Sequence, residues 1–221
     1  PSIPNRLTKI TNMLGAETAI EYATSPTNYD DTNISPMSVV SKISIQNIGL
    51  GQPDMVTQYD YKGGAYVMDQ ATRQKRFSGF HKVTASESGS NLVPLRTTDT
   101  YFHQANGSDV ATSEPTDTDL ALIGRPYYTV VSDPSSILKK ETWNKYALFT
   151  LATEPVVGRF SKFIFTIETV TKTTDASATV GTADVYTFDT TLGEQTELRN
   201  MGFVTVGTGG TYTDITGDTK Y

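Results

Sequence analysis

The sequence predicts an all-β chain in which successive antiparallel hairpins form a curved sheet or a sandwich. Runs of β-branched and aromatic residues alternate with polar ones at period two, most cleanly in Met37 to Gln46. Clusters of Gly, Asn, Asp, Pro and Ser separate these runs at short intervals. No segment of helical length carries a convincing 3.6-residue pattern.

The central stretch is Arg76 to Gln104, where two strand-forming runs flank the polar turn Ser86-Glu87-Ser88-Gly89-Ser90-Asn91. Aromatic and β-branched side chains suit a pleated, half-buried surface, so the stretch reads as one long hairpin. Gly79, between Phe77 and Phe80, stands where a bulge or a close backbone approach is expected.

Upstream of it, Leu7 to Thr11 and Thr18 to Ala23 read as short strands around Asn12-Met13-Leu14-Gly15. Residues 24–36 have loop composition. In the next strand Met37, Val39, Ile43 and Ile45 alternate with Ser38, Lys42, Ser44 and Gln46, which marks a sheet with one buried face. After the connection Gly49 to Pro53, Met55, Thr57, Tyr59 and Tyr61 face one way, and Gly63-Gly64 is expected to break that strand.

Downstream, residues 105–119 read as irregular, and Gly124-Arg125-Pro126 opens a further hairpin. There Tyr127 to Ser132 pairs with Ile137 to Lys145 across Asp133-Pro134-Ser135-Ser136. Phe163, Phe165 and Ile167 form an apolar stripe within Phe160 to Lys172, opposite Lys162, Thr166 and Glu168. Residues 173–182 are expected to be a polar loop. Asp184 to Asp189 and Glu194 to Arg199 read as a hairpin across Thr190 to Gly193. Phe203 to Val206 reads as a separate strand, divided from Tyr212 to Ile215 by Gly207 to Gly210.

The totals narrow the function. A chain of 221 residues can bury a real core in one large β domain or two small ones. A net charge of -6 argues against nucleic acid or an anionic membrane as partner, because phosphate binding needs a concentrated basic surface. Without cysteine there is neither a disulfide framework nor a thiolate metal site. No apolar run reaches the length of a membrane span. Pro1-Ser2-Ile3-Pro4 lacks Met and any signal-peptide pattern, and strand-like residues lie close behind Tyr221. Both ends read as cut from a longer polypeptide.

Candidate sites are sparse. His81 and His103 stand on predicted strands with no acidic neighbour at ligand spacing, so structural or surface roles are favoured over a metal. Asp30-Asp31 and Asp117-Thr118-Asp119 read as solvated loop acids rather than a calcium loop. Arg73, Lys75, Arg76 and Lys82 read as a charged edge that discourages aggregation. Asn106-Gly107-Ser108 matches a glycosylation sequon but reads as a turn. There is no G-x-S-x-G elbow or local Ser/His/Asp signature, and no catalytic or cofactor-binding residue is assigned. Tyr59, Tyr61, Tyr101, Tyr127 and Tyr128 are expected on sheet faces rather than in a sugar platform. The expected structural core is Val39, Ile43, Ile45, Tyr59, Tyr61, Phe77, Phe80, Phe163 and Phe165.

The run from Leu7 to Tyr22, LTKITNMLGAETAIEY, resembles the "LLTxITNGLGATTxIxY" opening of the B components of bacterial insecticidal toxin complexes, shared by the related SpvB-type virulence proteins. Val39 to Ile43 is similar to their "VVSKV" strand, and Tyr59 to Gly64 to their "YxYxGG". Phe77 to Val83 is similar to "FxGFxxV", and Thr100 to Gln104 to "TYFHQ". Gly124-Arg125-Pro126 with Glu141-Thr142-Trp143 resembles the "GRPY" hairpin of the same proteins. Tyr186 to Asp189 followed by Gly193 resembles a YD repeat of the Rhs type, with Phe188 in the second aromatic place and one extra residue before the Gly.

The resemblance implies a toxin-complex B/SpvB-like hairpin region over 6–145 and a YD-repeat-like region over 146–221, or one continuous domain. It implies a non-catalytic piece of a β-strand shell in a secreted or translocated bacterial protein. The implied partners are the remainder of its own polypeptide shell, an enclosed C-terminal toxin domain and other toxin-complex subunits. No cofactor, nucleic acid or membrane insertion is implied. The alternative is a β-sandwich module recognising carbohydrate or a cell surface, which an exposed cluster of Tyr and Trp143 would favour.

Overall fold

The computed structural model describes residues 6–25, 37–46, 55–69, 72–89, 92–105, 119–135, 137–153 and 160–215. Their backbone forms one open, curved, twelve-stranded antiparallel sheet whose spatial order is the order of the chain. The strands are β1 (Lys9–Thr11), β2 (Glu17–Ser25), β3 (Met37–Gln46), β4 (Met55–Asp69), β5 (Gln74–Ser88) and β6 (Pro94–Phe102). They continue as β7 (Pro126–Ser132), β8 (Lys139–Thr153), β9 (Phe160–Thr174), β10 (Thr179–Phe188), β11 (Gln195–Val206) and β12 (Tyr212–Asp214). Of the two expected architectures, the chain adopts the single curved sheet.

Turn chemistry is local and legible. Asn12 Oδ1 accepts from the Leu14 and Ala16 amides at 2.9 Å each, closing β1 onto β2. Asp175 Oδ1 accepts from the Ser177 and Ala178 amides, and Asp189 Oδ1 from those of Thr191 and Leu192. These contacts hold both carboxyls below the usual carboxylate range. At the YD-like turn the Gly193 amide returns to the Asp189 carbonyl at 2.8 Å, and Gly193 takes φ +73°.

Three expectations need correction. Gly63-Gly64 does not end a strand: β4 runs on to Asp69, and its pairing with β5 passes over Gly63, resumes at Gly64 opposite Phe80 and continues to Asp69. The opposing bulge at Ser78-Gly79 absorbs the irregularity, as the register shift between Ala65 and Tyr66 records. Residues 173–182 are strand ends around a short turn at Asp175, because Thr179, Val180 and Thr182 are β-formers and Asp175 alone suffices to reverse the chain. Gln195 to Arg199 and Phe203 to Val206 belong to one strand, β11, interrupted by Gly202 at φ +65°, with Glu194 just before it. The 145/146 boundary falls inside β8, at the register shift between Lys145 and Tyr146. Residues 106–118, with the sequon and Asp117, and the Asp30-Asp31 pair lie outside the described residues.

The tightest packing lies on one face of the C-terminal half. Trp143, Val170 and Ala183 are successive cross-strand partners, Gly181 stands opposite Val204, and these apolar side chains form the core with Tyr128, Met201, Val206 and Tyr212 against them. The 3-10 turn Thr208–Gly210 between β11 and β12 folds back over Trp143. A Cβ on Gly210 would lie 2.5 Å from Trp143 Cγ, so only glycine fits there. β8 and β11 are three places apart in the order, roughly 14 Å on a flat sheet, so this contact requires curvature.

The residues expected to be core are placed differently. Val39, Ile43, Ile45, Tyr59, Tyr61, Phe77, Phe80 and Phe165 are half-buried, and Phe163 is 48% exposed. Among the described residues the largest fully buried side chains are Tyr127, Val170 and Ser78. A single sheet has no second layer to cover a whole face, so full burial is confined to places where bulges or returning turns bring chain over the sheet.

Candidate functional site: the junction of the glycine motifs

The motifs read separately along the chain meet at one place. Gly63 in β4 and Gly79 in β5 take φ +64° and +88°, a left-handed backbone that turns their carbonyls out of the ladder. Just beyond β6, the Gln104 side chain reaches both. Its Nε2 donates to the Gly63 carbonyl at 2.6 Å and to the Gly79 carbonyl at 2.9 Å. The Ser78 hydroxyl donates to the Ala65 carbonyl at 2.9 Å. Ser78, His103 and Gln104 are the buried polar residues among those described.

The GRP motif closes the other side. The His103 amide donates to the Arg125 carbonyl and the Gly124 amide to the His103 carbonyl, each at 3.0 Å. Buried Tyr127 packs its ring 4.9 Å from His103 and 6.4 Å from both His81 and Tyr101. Tyr146 meets His103 edge-on at 5.8 Å and donates its hydroxyl to the Pro126 carbonyl at 2.8 Å. Both histidines therefore sit in one aromatic layer. Among the described residues, no group of three or more His, Asp or Glu side chains is arranged to hold a metal.

A polar row runs across the sheet from β5 to β9. Lys82 pairs with Asp99 at 2.8 Å, which also accepts from Thr84 at 2.6 Å. Further on, the Tyr128 hydroxyl donates to Glu141 at 2.6 Å, and Lys139 pairs with the same carboxylate at 3.0 Å. Burial works against ionisation of Glu141. The contacts from Tyr128 and Lys139 and the charge of Lys172 outweigh it and hold the carboxyl below its ordinary value. Burial pushes the Tyr128 phenol up, and the hydrogen bond and negative charge of Glu141 add to the shift. Along this row Tyr101 packs tilted against Tyr128 at 5.4 Å, and Tyr128 stacks on Trp143 at 5.1 Å.

The expected basic edge is not one patch. Lys82 is tied to Asp99, while Lys75 lies over the Tyr66 ring at 4.6 Å. Seven residues of strand, about 23 Å, separate those two lysines. Tyr59 and Tyr61 stand on β4, and the Tyr61 ring packs tilted against Phe80 at 4.9 Å. Neither Gln104 nor Ser78 was singled out by residue type. The signal available for them was the pair of glycine motifs on adjacent strands, whose bulged carbonyls require an outside donor.

The geometry is that of a structural clasp: the Gln104 amide and the Ser78 and Tyr146 hydroxyls all end on backbone carbonyls, and the His103 and Tyr127 rings pack on each other. No curated protein and no solved structure matches the chain. Residues 3–107, just under half of the chain and including every motif from Leu7 to Gln104, match the family model of the insecticide toxin TcdB middle/N-terminal region, which supports a toxin-complex B-like protein.

Proposed function

We propose that this chain is a non-catalytic wall segment of a β-strand shell that encloses a toxin cargo in a secreted bacterial toxin of the toxin-complex, SpvB or Rhs type. The observation that carries the reading is the strand order: twelve strands pair in chain order without a crossover. Such a sheet grows by adding each hairpin to the edge left by the last, and it satisfies backbone hydrogen bonds as it grows. Among the described residues β1 and β12 each have one paired neighbour, which leaves an edge at both ends for the rest of the same polypeptide. The match of residues 3–107 to a toxin-complex family region supports the same reading, and the YD-like turn at Asp189 to Gly193 supports its Rhs-type extension.

The partners of the wall are the flanking polypeptide, a C-terminal toxin domain inside it, and other toxin-complex subunits. The test is electron cryo-microscopy of the polypeptide encoded by the whole reading frame, with limited proteolysis in parallel. The expected result is a hollow particle with this segment in its wall and a C-terminal domain resistant to protease. A freestanding sheet hung outside a compact body, with the C-terminal domain cleaved at once, would overturn the proposal.

A further inference from the structure

We propose that the cleft over β8 to β11 is a binding site for a neutral saccharide. It is an open depression of about 520 Å³ lined by Tyr146, Phe165 and Phe188, with Thr166, Tyr186 and Gln195 contributing polar groups. Its floor is fixed. Asn144 Nδ2 and the Tyr146 hydroxyl both donate to the Pro126 carbonyl, and Asn144 Oδ1 accepts from Thr169 at 3.1 Å. Phe165 and Phe188 stack at 4.2 Å, and the Gly193 turn closes on the Phe165 ring edge.

The lining selects the ligand by chemistry. No lining residue is charged at neutral pH, so neither an anion nor a cation finds a counter-ion. Among the described residues, the Thr166 and Tyr186 hydroxyls and the Gln195 amide make no hydrogen bond within the protein, although they share a cleft with aromatic rings. A purely apolar ligand would leave these groups unpaired. Among the described residues β9 and β10 pair with each other only as far as Glu168 and Val185 and not beside the cleft, so a peptide adding as a strand is the competing occupant that the test below must separate from a sugar. A sugar ring, apolar on its C–H face and hydroxylated at its rim, meets every requirement. The inference is independent of the wall reading, because it concerns only the cleft over these strands.

The test is saturation-transfer difference NMR on the 221-residue chain with maltose, cellobiose, lactose and N,N′-diacetylchitobiose at millimolar concentration. At least one should show transfer to its ring C–H protons. Tyr186→Phe, which removes only a hydroxyl, should weaken that ligand about threefold to tenfold. Gln195→Ala should weaken it by a similar factor, with thermal unfolding of both variants matching the parent chain. Absence of transfer to all four disaccharides overturns the inference. So does binding that both variants leave unchanged, or displacement of the sugar by a neutral tetrapeptide.

Discussion

Gln104 donates its side-chain amide to the Gly63 carbonyl at 2.6 Å across 41 residues of chain, and so clasps the end of the central hairpin to the strand before it. The same amide takes the Gly79 carbonyl at 2.9 Å, so one side chain satisfies two carbonyls that bulged glycines have turned out of the ladder. Gln104→Ala should therefore cost about 1–3 kcal/mol in equilibrium urea unfolding. Gln104→Glu should lose stability at neutral pH, where a carboxylate faces two carbonyls, and regain part of it below about pH 4, where the protonated acid can donate. A Glu variant as stable as the parent at neutral pH would show that the clasp is not donating.

The two clasped glycines differ in a way that separates backbone strain from steric exclusion. Gly79 has open space around its missing Cβ, whereas a Cβ on Gly63 would lie 2.8 Å from His81 Cβ. Both positions have positive φ, so Gly79→Ala should cost about 1–2 kcal/mol from the left-handed backbone alone. Gly63→Ala should cost clearly more, since His81 Cβ is fixed to its strand and cannot give way. Equal losses in parallel denaturation curves would contradict this geometry.

The sequence already contained the strands and most of the turns. Period-two runs and Asn, Asp and Gly punctuation act over a few residues, which is why Met37–Gln46 and Pro126–Ser132 lie where the pattern puts them. The failures share one cause. Gly63-Gly64 reads locally as a stop because its remedy, Gln104, lies 41 residues further on, just beyond β6, and residues 173–182 read as loop because their partners on β8 and β11 are not visible locally. The degree of burial within the expected core is hidden from the local pattern for the same reason. Whether Phe163 or Trp143 is covered depends on the Thr208–Gly210 turn returning over the sheet, and no local pattern encodes that return.

Coverage by that turn should appear in truncation energies. Trp143 is 4% exposed and backed by Gly210, so Trp143→Ala should cost about 3–5 kcal/mol. Phe80→Ala, at a half-buried site, should fall below that range, and Phe163→Ala, 48% exposed, should cost under about 1 kcal/mol. Trp143 is the only tryptophan, so Gly210→Ala, which forces the turn off its ring, should also red-shift the intrinsic fluorescence of the folded protein. An unshifted spectrum would mean that the turn does not cover the ring.

The Tyr128–Glu141 pair makes stability depend on pH at both ends of the scale. Glu141 titrates below its ordinary value in the fold, so its contribution is present above about pH 4.3, the unfolded value. It is lost as pH falls through the lower folded value. Tyr128 titrates above its ordinary value, so its contribution is present below about pH 10 and is lost as pH rises from there toward the folded value. Tyr128→Phe removes the phenol that titrates and also the hydrogen bond that favours the Glu141 carboxylate. Its unfolding free energy should therefore fall less steeply than that of the parent both below pH 4.3 and above pH 10. Glu141→Gln should flatten the acid limb most strongly and also ease the alkaline one, because the charge that helps hold the Tyr128 proton is gone. Denaturation midpoints measured across the pH series check both slopes. If Tyr128→Phe parallels the parent on both limbs, the 2.6 Å contact does not couple the two groups.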